Sequence, residues 1–530
     1  MRSNWIQHGI AAAAVALSVS AGSPAVLRAA PQSPVVATDL GPVRGVATGT
    51  LQKFLGIPYA AAPVGDLRWR PPQEHARWNG VRDAASFGHH CPQVATPYGT
   101  ASTTEDCLFL NVFTPPKTNE GRPHLLPVMF WIHGGGLVVG ESNGYDPSNL
   151  VAQNIIVVTI NYRIGELGFL AHSALTAESS AGASGNYGLL DQQAALRWVQ
   201  RNIRAFGGNP DNVTIFGESA GGLSVHAQLA SPLAAGLFHK AIVESGAYSL
   251  VQRSLSAAEA TGAAFAASAG CADQSTACLR SLPVAAILAH QPGGTMVPNL
   301  DGSVLPRTVL DAFTNGPFNL VPVIEGSNHD EWRLFVAQTE ATTGTPLTAA
   351  GYIPAIAATL GVPVAAAVAV AATYPLAAYP SPSVALGAVG TDAIFACNAR
   401  LSAQLLSRQL SQQKLPAYQY EFNDPNAPML FFRSISFPTG ASHASELQYI
   451  FDVLETPVPS PGLTPAQEQL SRTMVRYWAE FARTGDPNSS ETPPWPLYGN
   501  SDQFQSLHPS TPEPSTGFAV DHKCAFWHLN

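Results

Sequence analysis

The sequence predicts an α/β fold with a large, mostly parallel sheet, and three observations carry the prediction. Short apolar, largely β-branched runs recur at residues 126–132, 155–160, 213–216, 240–244, 321–324 and 417–422. Near-continuous apolar runs of this length suit parallel strands buried on both faces. Between two of them, residues 189–206 carry Leu190, Ala194, Leu196, Trp198, Val199 and Ile203 at helical spacing; strands alternating with helices imply a sheet covered on both sides. Third, Gly217-Glu218-Ser219-Ala220-Gly221 joins the 213–216 run to an Ala/Leu-rich segment at 223–230, which reads as strand, tight turn, helix.

Composition bounds the answer. Of 530 residues, 46% are apolar and only 12% charged, which suits a large folded core rather than disorder. A net charge of -9 and an isoelectric point near 5.9 argue against a nucleic-acid partner, which calls for a basic face. They also argue against general attraction to anionic membranes. No internal repeat and no long linker divides the chain.

The N-terminus reads as an export signal over residues 1–21. Arg2 supplies the positive end, residues 10–19 the apolar stretch, and Val19-Ser20-Ala21 a small-residue cleavage site. Cleavage after Ala25 is a rival, and the signal could extend to about residue 30. The apolar stretch is too short to span a bilayer comfortably, so a secreted or periplasmic protein without stable membrane insertion is expected. Six cysteines (Cys91, Cys107, Cys271, Cys278, Cys397 and Cys524) fit that compartment. An even count suggests disulfides, with the connectivity open. Cys91 with Cys107 and Cys271 with Cys278 would close short loops, and Cys397 with Cys524 would tie the tail to the body. No C-x-x-C or clustered Cys/His spacing occurs, so no metal site is expected.

Further along, residues 342–382 are Ala- and Pro-rich. Their all-apolar stretch, 364–372, is too short for a membrane span and is bracketed by Pro363 and Pro375, so buried or cap helices are expected. Residues 465–484 read as a last helix, with Thr464 as its cap, Pro465 in its first turn and Gly485 at its stop.

The chemistry centres on Ser219. In G-x-S-x-G a serine sits on a strained turn with its hydroxyl exposed, and the strand before and helix after are the context that the pattern requires. A serine needs a base, and the base an orienting acid, in the chain order Ser, acid, His. Four histidines follow a plausible acid: His443, His508, His522 and His528. The last three lie in a Pro/Ser-rich tail where a rigid scaffold is hard to picture, which leaves His443 in its loop, 440–446. For the acid, Asp330 and Glu331 compete just past the 321–324 run, with Glu325 a weaker third; either neighbour could instead be balancing a helix dipole. Glu218 either tunes the field beside the nucleophile or is structural. His133-Gly134-Gly135-Gly136-Leu137 ends the 126–132 run. Only glycines let the backbone turn its N–H groups toward a developing negative charge with no side chain in the way.

Together, His133-Gly-Gly-Gly, Glu105-Asp106-Cys107-Leu108-Phe109-Leu110-Asn111, the Gly217–Gly222 motif and the His443 loop resemble the type-B carboxylesterases, the family that includes cholinesterases. The likeness begins near Val43-Arg44-Gly45 and Phe54-Leu55-Gly56-Ile57-Pro58-Tyr59-Ala60 and runs to the last helix. It implies one α/β-hydrolase catalytic domain over 31–530, with a helical cap around 342–395, a serine esterase activity and no cofactor. By motif position it selects Glu331 as acid and His443 as base, and Gly135, Gly136 and Ala220 as oxyanion donors. Cys91–Cys107 and Cys271–Cys278 match the family's disulfides, and Cys397–Cys524 is the pair left over. Arg68 with Glu105, and Arg163 with Asp191, resemble its structural ion pairs. Trp332 stands where many members have Gly, and Leu137 where many have Phe. The loop between Cys91 and Cys107 holds Tyr98 but no Trp, which disfavours choline esters, since an aromatic face is what attracts quaternary ammonium. The expected partner is a small-molecule ester. The rival readings are an amidase or peptidase on the same residues, and a non-catalytic cholinesterase-like binding protein. The sequence leaves the oligomeric state open.

Overall fold

The computed structural model describes residues 33–116, 124–294, 296–454, 456–509 and 511–527. The export-signal reading and His528 lie outside the described residues.

One 11-stranded sheet organises the chain. Its strands are β1 (Val46–Ala47), β2 (Gln52–Pro58), β3 (Phe109–Thr114), β4 (Leu126–Ile132), β5 (Ile156–Ile160), β6 (Gly208–Glu218), β7 (Lys240–Glu244), β8 (Val323–Asn328), β9 (Ala417–Phe422), β10 (Phe504–Leu507) and β11 (Glu513–Ser515). In space they run β1-β2-β3-β5-β4-β6-β7-β8-β9-β10-β11. Pairing is parallel from β5 through β10 and antiparallel at both margins. The apolar runs have the burial that such a sheet demands. Along β4, Val128, Phe130 and Ile132 enter one core cluster while Met129 and Trp131 enter another, because successive side chains point to opposite faces. The first core takes helices α1 (Tyr187–Asn202), α2 (Ala220–Ala230) and part of α7 (Cys397–Ser411); the second takes α8 (Pro465–Thr484).

Two boundaries differ from the expectation for local reasons. The helix expected over 189–206 ends as a 3₁₀ turn, Ile203–Phe206, before Gly207 at φ 91°; tightening of a last turn is a common way to end a helix. The strand expected at 321–324 pairs from Val323 to Asn328, since Pro322 has no N–H to give the ladder. The last helix starts as the sequence predicts. Thr464 Oγ1 accepts from Gln467 N, Gln467 Oε1 accepts from Thr464 N, Pro465 opens the first turn and Gly485 closes the helix at φ 85°.

Between β8 and β9 lie α3 (Arg333–Thr343), α4 (Tyr352–Leu360), α5 (Val364–Thr373), α6 (Pro382–Gly390) and a π-helical turn, Thr391–Ala396, that leads into α7. Helices α3 to α6 share a separate apolar cluster built on Val336, Tyr352, Ile356, Val370, Tyr374 and Val389. The continuous helical stretch 382–411 is long and apolar enough to cross a membrane, yet 67% of its 18-residue apolar window is buried inside the protein, as in a core helix.

Three disulfides close the loops that the sequence suggested: Cys91–Cys107, Cys271–Cys278 and Cys397–Cys524. Arg68 makes a two-pronged pair with Glu105 at 2.7 and 2.5 Å. Arg163 pairs with Asp191 at 2.7 Å through both Nε and Nη2, and its backbone N–H adds a third bond at 3.0 Å. The second pair is buried on both sides. Removing one partner strands the other charge without water. Arg163→Ala is therefore expected to cost about 3–5 kcal/mol of stability, read as a lower midpoint in urea unfolding; a loss within about 0.5 kcal/mol, the range of an ordinary surface substitution, would contradict it.

Candidate active site

The site forms where two neighbouring parallel strands end together. Gly217 of β6 is in register with Ile132 of β4, so the turn after β6 and the glycine loop after β4 share one edge. A Cβ on Gly221 would collide with the Ile132 carbonyl, and one on Gly217 would sit 2.6 Å from the same oxygen. Only bare backbone fits there. Ser219, between these glycines, is held at φ 56°, ψ -120°, a strained conformation for a residue with a side chain. Its N–H donates to Glu244 O at 2.9 Å and its carbonyl accepts from Leu223 N at 2.8 Å. The residue remains partly exposed. Its hydroxyl has no hydrogen-bond partner among the described residues.

The glycine loop packs against this turn; a Cβ on Gly134 would lie 2.9 Å from Glu218 O. Gly135 turns at φ 96° and its carbonyl accepts from Val138 and Val139 N–H, both at 3.0 Å. The Gly136 carbonyl accepts from Met296 N at 2.9 Å. With the carbonyls engaged, the N–H groups of Gly135 and Gly136 have no protein acceptor among the described residues. Ala220 opens α2, where the first-turn N–H groups also lack an intrahelical partner. His133 anchors the loop by stacking on Tyr162 at 4.4 Å and by contact of its Nδ1 with Gly134 O at 2.9 Å. Burial lowers its pKa to about 4, so it stays neutral.

Of the candidate acids, one reaches the candidate base. His443 Nδ1 lies 2.6 Å from Glu331 Oε2, and His443 N donates to Glu331 O at 3.2 Å. The other carboxylate oxygen, Glu331 Oε1, accepts from Asn328 N at 2.8 Å. Asp330 faces Arg333 at 2.8 Å and accepts from Ala441 N. Glu325 binds His226 at 2.7 Å and Ser402 at 2.9 Å. His443 Nε2 is buried with no hydrogen-bond partner among the described residues, 3.2 Å from Glu218 Oε1. Its lone pair is therefore available to a proton donor.

The other histidines are used elsewhere. His508 faces Glu513 at 3.7 Å. His522 corrects the expectation that the tail offers no rigid scaffold: it is buried between Asp392 at 2.7 Å and Glu421 at 2.5 Å. Burial opposes its charge, but those two carboxylates win and raise its pKa to about 10.

Sequence reasoning singled out Glu218 but missed the buried carboxyls of Glu244 and Glu446. Burial pushes Glu218 up to about 7 and Glu244 to about 8, and holds Glu446 well above the usual carboxylate range. Trp478 Nε1 donates to Glu244 Oε1 at 2.7 Å, and Asn328 Nδ2 donates to Glu446 Oε2. The available signal was spacing: Glu446 lies three residues past His443, and Glu244 two before a glycine. For His443, burial acts to lower the pKa, but Glu218 first and Glu331 next outweigh it and the value rises.

Aromatic rings wall the base. Phe395 and Phe335 lie 4.9 and 5.3 Å from the His443 ring, and Trp332 packs on Phe335 at 4.5 Å. Tyr98, from the loop between Cys91 and Cys107, packs on Phe431 at 5.0 Å and donates to Gln338 Oε1 at 3.1 Å. Leu137 is fully buried. The Trp332 backbone N–H donates to Thr391 Oγ1 at 3.0 Å.

This fold and this edge are those of an α/β-hydrolase with ester-cleaving chemistry. Residues 32–527 match the model of the carboxylesterase family, so the chain belongs to that family and is a carboxylic-ester hydrolase. It is 36% identical to human cocaine esterase, over 93% of this chain and 91% of the relative. It is 35% identical to a mouse acylcarnitine hydrolase, over 92% and 91%. Fumonisin B1 esterase of Sphingopyxis macrogoltabida is 36% identical, over 87% and 84%.

A base must be neutral to accept a proton, so with His443 as the candidate base its raised pKa is expected to put the acid limb of kcat/KM above the ordinary histidine value of about 6.5. Glu218→Gln removes the strongest of the raising contributions, and the acid limb is expected to move to lower pH. A pH profile on a soluble short-chain ester reads this; a limb that stays put or moves upward would contradict the assignment.

Proposed function

We propose that the protein is an exported serine carboxylesterase acting on small-molecule esters through an acyl-enzyme on Ser219. The observation that carries the reading is the 2.6 Å His443–Glu331 bond, with Nε2 left open beside Glu218, the residue preceding Ser219. His443 Nε2 takes the hydroxyl proton as Ser219 Oγ attacks the ester carbonyl. Glu331 fixes the tautomer by accepting from Nδ1 and stabilises the imidazolium that forms. The unengaged N–H groups of Gly135, Gly136 and Ala220 receive the oxyanion; losing one such donor costs about 3–4 kcal/mol of barrier. The imidazolium then protonates the leaving alcohol, and water, deprotonated by the same nitrogen, releases the acid.

The aromatic wall of Trp332, Phe335 and Phe395 favours neutral esters with apolar acyl or alcohol groups over cationic ones. The three disulfides support an oxidising compartment, secreted or periplasmic.

Stoichiometric labelling by an organophosphate probe is expected on Ser219 and absent in Ser219→Ala, and that variant is expected to lose about 10⁴-fold or more in kcat. Labelling that survives the substitution would overturn the assignment. Faster cleavage of a matched anilide than of the ester would make the protein an amidase instead.

A further inference from the structure

A second cluster of reactive side chains lies outside this machinery. His329 Nδ1 and His522 Nε2 converge on one carboxylate oxygen, Glu421 Oε1, at 3.2 and 2.5 Å. The three ligand-capable atoms lie within 4.8 Å of one another. The other nitrogen of His522, Nδ1, contacts Asp392 Oδ1 at 2.7 Å. Each member is fixed by a separate part of the fold. His329 follows β8, Glu421 belongs to β9, Asp392 to the π-helical turn, and His522 to the tail two residues before the Cys397–Cys524 disulfide. Glu421 and His522 are buried, while the His329 side chain is 37% exposed, which leaves one open edge.

We propose that His329, Glu421 and His522 form a binding site for a divalent transition-metal ion of the zinc type. Two imidazole nitrogens and one carboxylate oxygen are a donor set that zinc takes, with a fourth position left for water; nitrogen donors disfavour calcium and magnesium. Asp392 on the far nitrogen of His522 supplies the carboxylate–histidine contact that orients metal-binding imidazoles. The exposed edge of His329 is the entry path. Charge can also balance: without the ion the His522 ring carries the positive charge between Asp392 and Glu421, and a divalent ion takes over that charge as it displaces the ring proton. Ring protons displaced by the ion pass to solvent. The 2.5 Å contact between His522 and Glu421 is a hydrogen-bond distance. Metal ligation at about 2.0–2.2 Å therefore requires the donors to part slightly, a movement that the exposed His329 ring can supply.

The test is calorimetric titration of chelator-treated, full-length protein with zinc chloride, paired with X-ray absorption at the zinc edge. Saturable binding of one ion per chain at micromolar concentration is expected, with two imidazole nitrogens in the coordination shell. His329→Ala, which leaves the His522 contacts with Asp392 and Glu421 in place, is expected to weaken binding at least about tenfold. Asp392→Asn is expected to weaken it about 10–100-fold. Absence of saturable zinc binding overturns the proposal. So does an affinity that is unchanged in His329→Ala, because the ion would then sit on other histidines.

Discussion

The molecule depends on a backbone contact between two strand ends. The Ile132 carbonyl of β4 lies against Gly217 and Gly221 so closely that a Cβ on either would strike it. This contact holds the turn of Ser219 and the loop of Gly135 and Gly136 on one edge of the sheet. It also carries the strain at Ser219, whose φ of 56° survives because the register of β6 on β4 and β7 leaves it no alternative. Strain of this kind costs of order 1–3 kcal/mol and persists only where the surroundings over-determine it. Here the surroundings are the two hydrophobic cores on either side of the sheet, so the core positions Ser219 as much as it stabilises the fold.

The second constraint is electrostatic. Glu218, Glu244, Glu331 and Glu446 are all buried, and the first and third face the His443 imidazole. Four carboxylates cannot all ionise without water, and the upward pKa shifts of Glu218, Glu244 and Glu446 are the outcome: burial makes charge expensive and like neighbours add to it. Glu331 differs in what it touches. It accepts from Asn328 N and faces His443 Nδ1.

Local features were legible in the sequence. The strand–turn–helix around Ser219, the glycine loop, the capped helix at 465–484 and the alternation of β4 follow from nearest neighbours and periodicity, and the structure contains each of them. The choice between Asp330 and Glu331 did not follow from physics at that stage, because both sit one turn from a helix start; the resemblance chose Glu331, and the contact with His443 falls on that residue. The buried place of His522 was not legible at all. A Pro- and Ser-rich tail carries no periodicity, and its partners Asp392, Glu421 and Cys397 come from distant segments that only the fold brings together. Glu446 was hidden for a related reason: a carboxylate in a loop looks solvated until the fold buries it.

That tail changes what the aromatic wall means. Phe395, the ring nearest His443, lies in the π-helical turn whose Asp392 is held by both His522 and Tyr374, each at 2.7 Å. Thr391 of the same turn receives the Trp332 N–H, and Cys397, just beyond it, is bonded to Cys524. A π turn carries an extra residue relative to an α-helical one, so it needs outside contacts to stay in place, and here the tail and cap supply them. The wall of the pocket is therefore set from behind, by a segment that touches neither Ser219 nor His443. Helices α4 to α6 pack into the same cluster as Trp527 and Phe526 of the tail, so the tail and these helices together hold the turn that places Phe395 against His443.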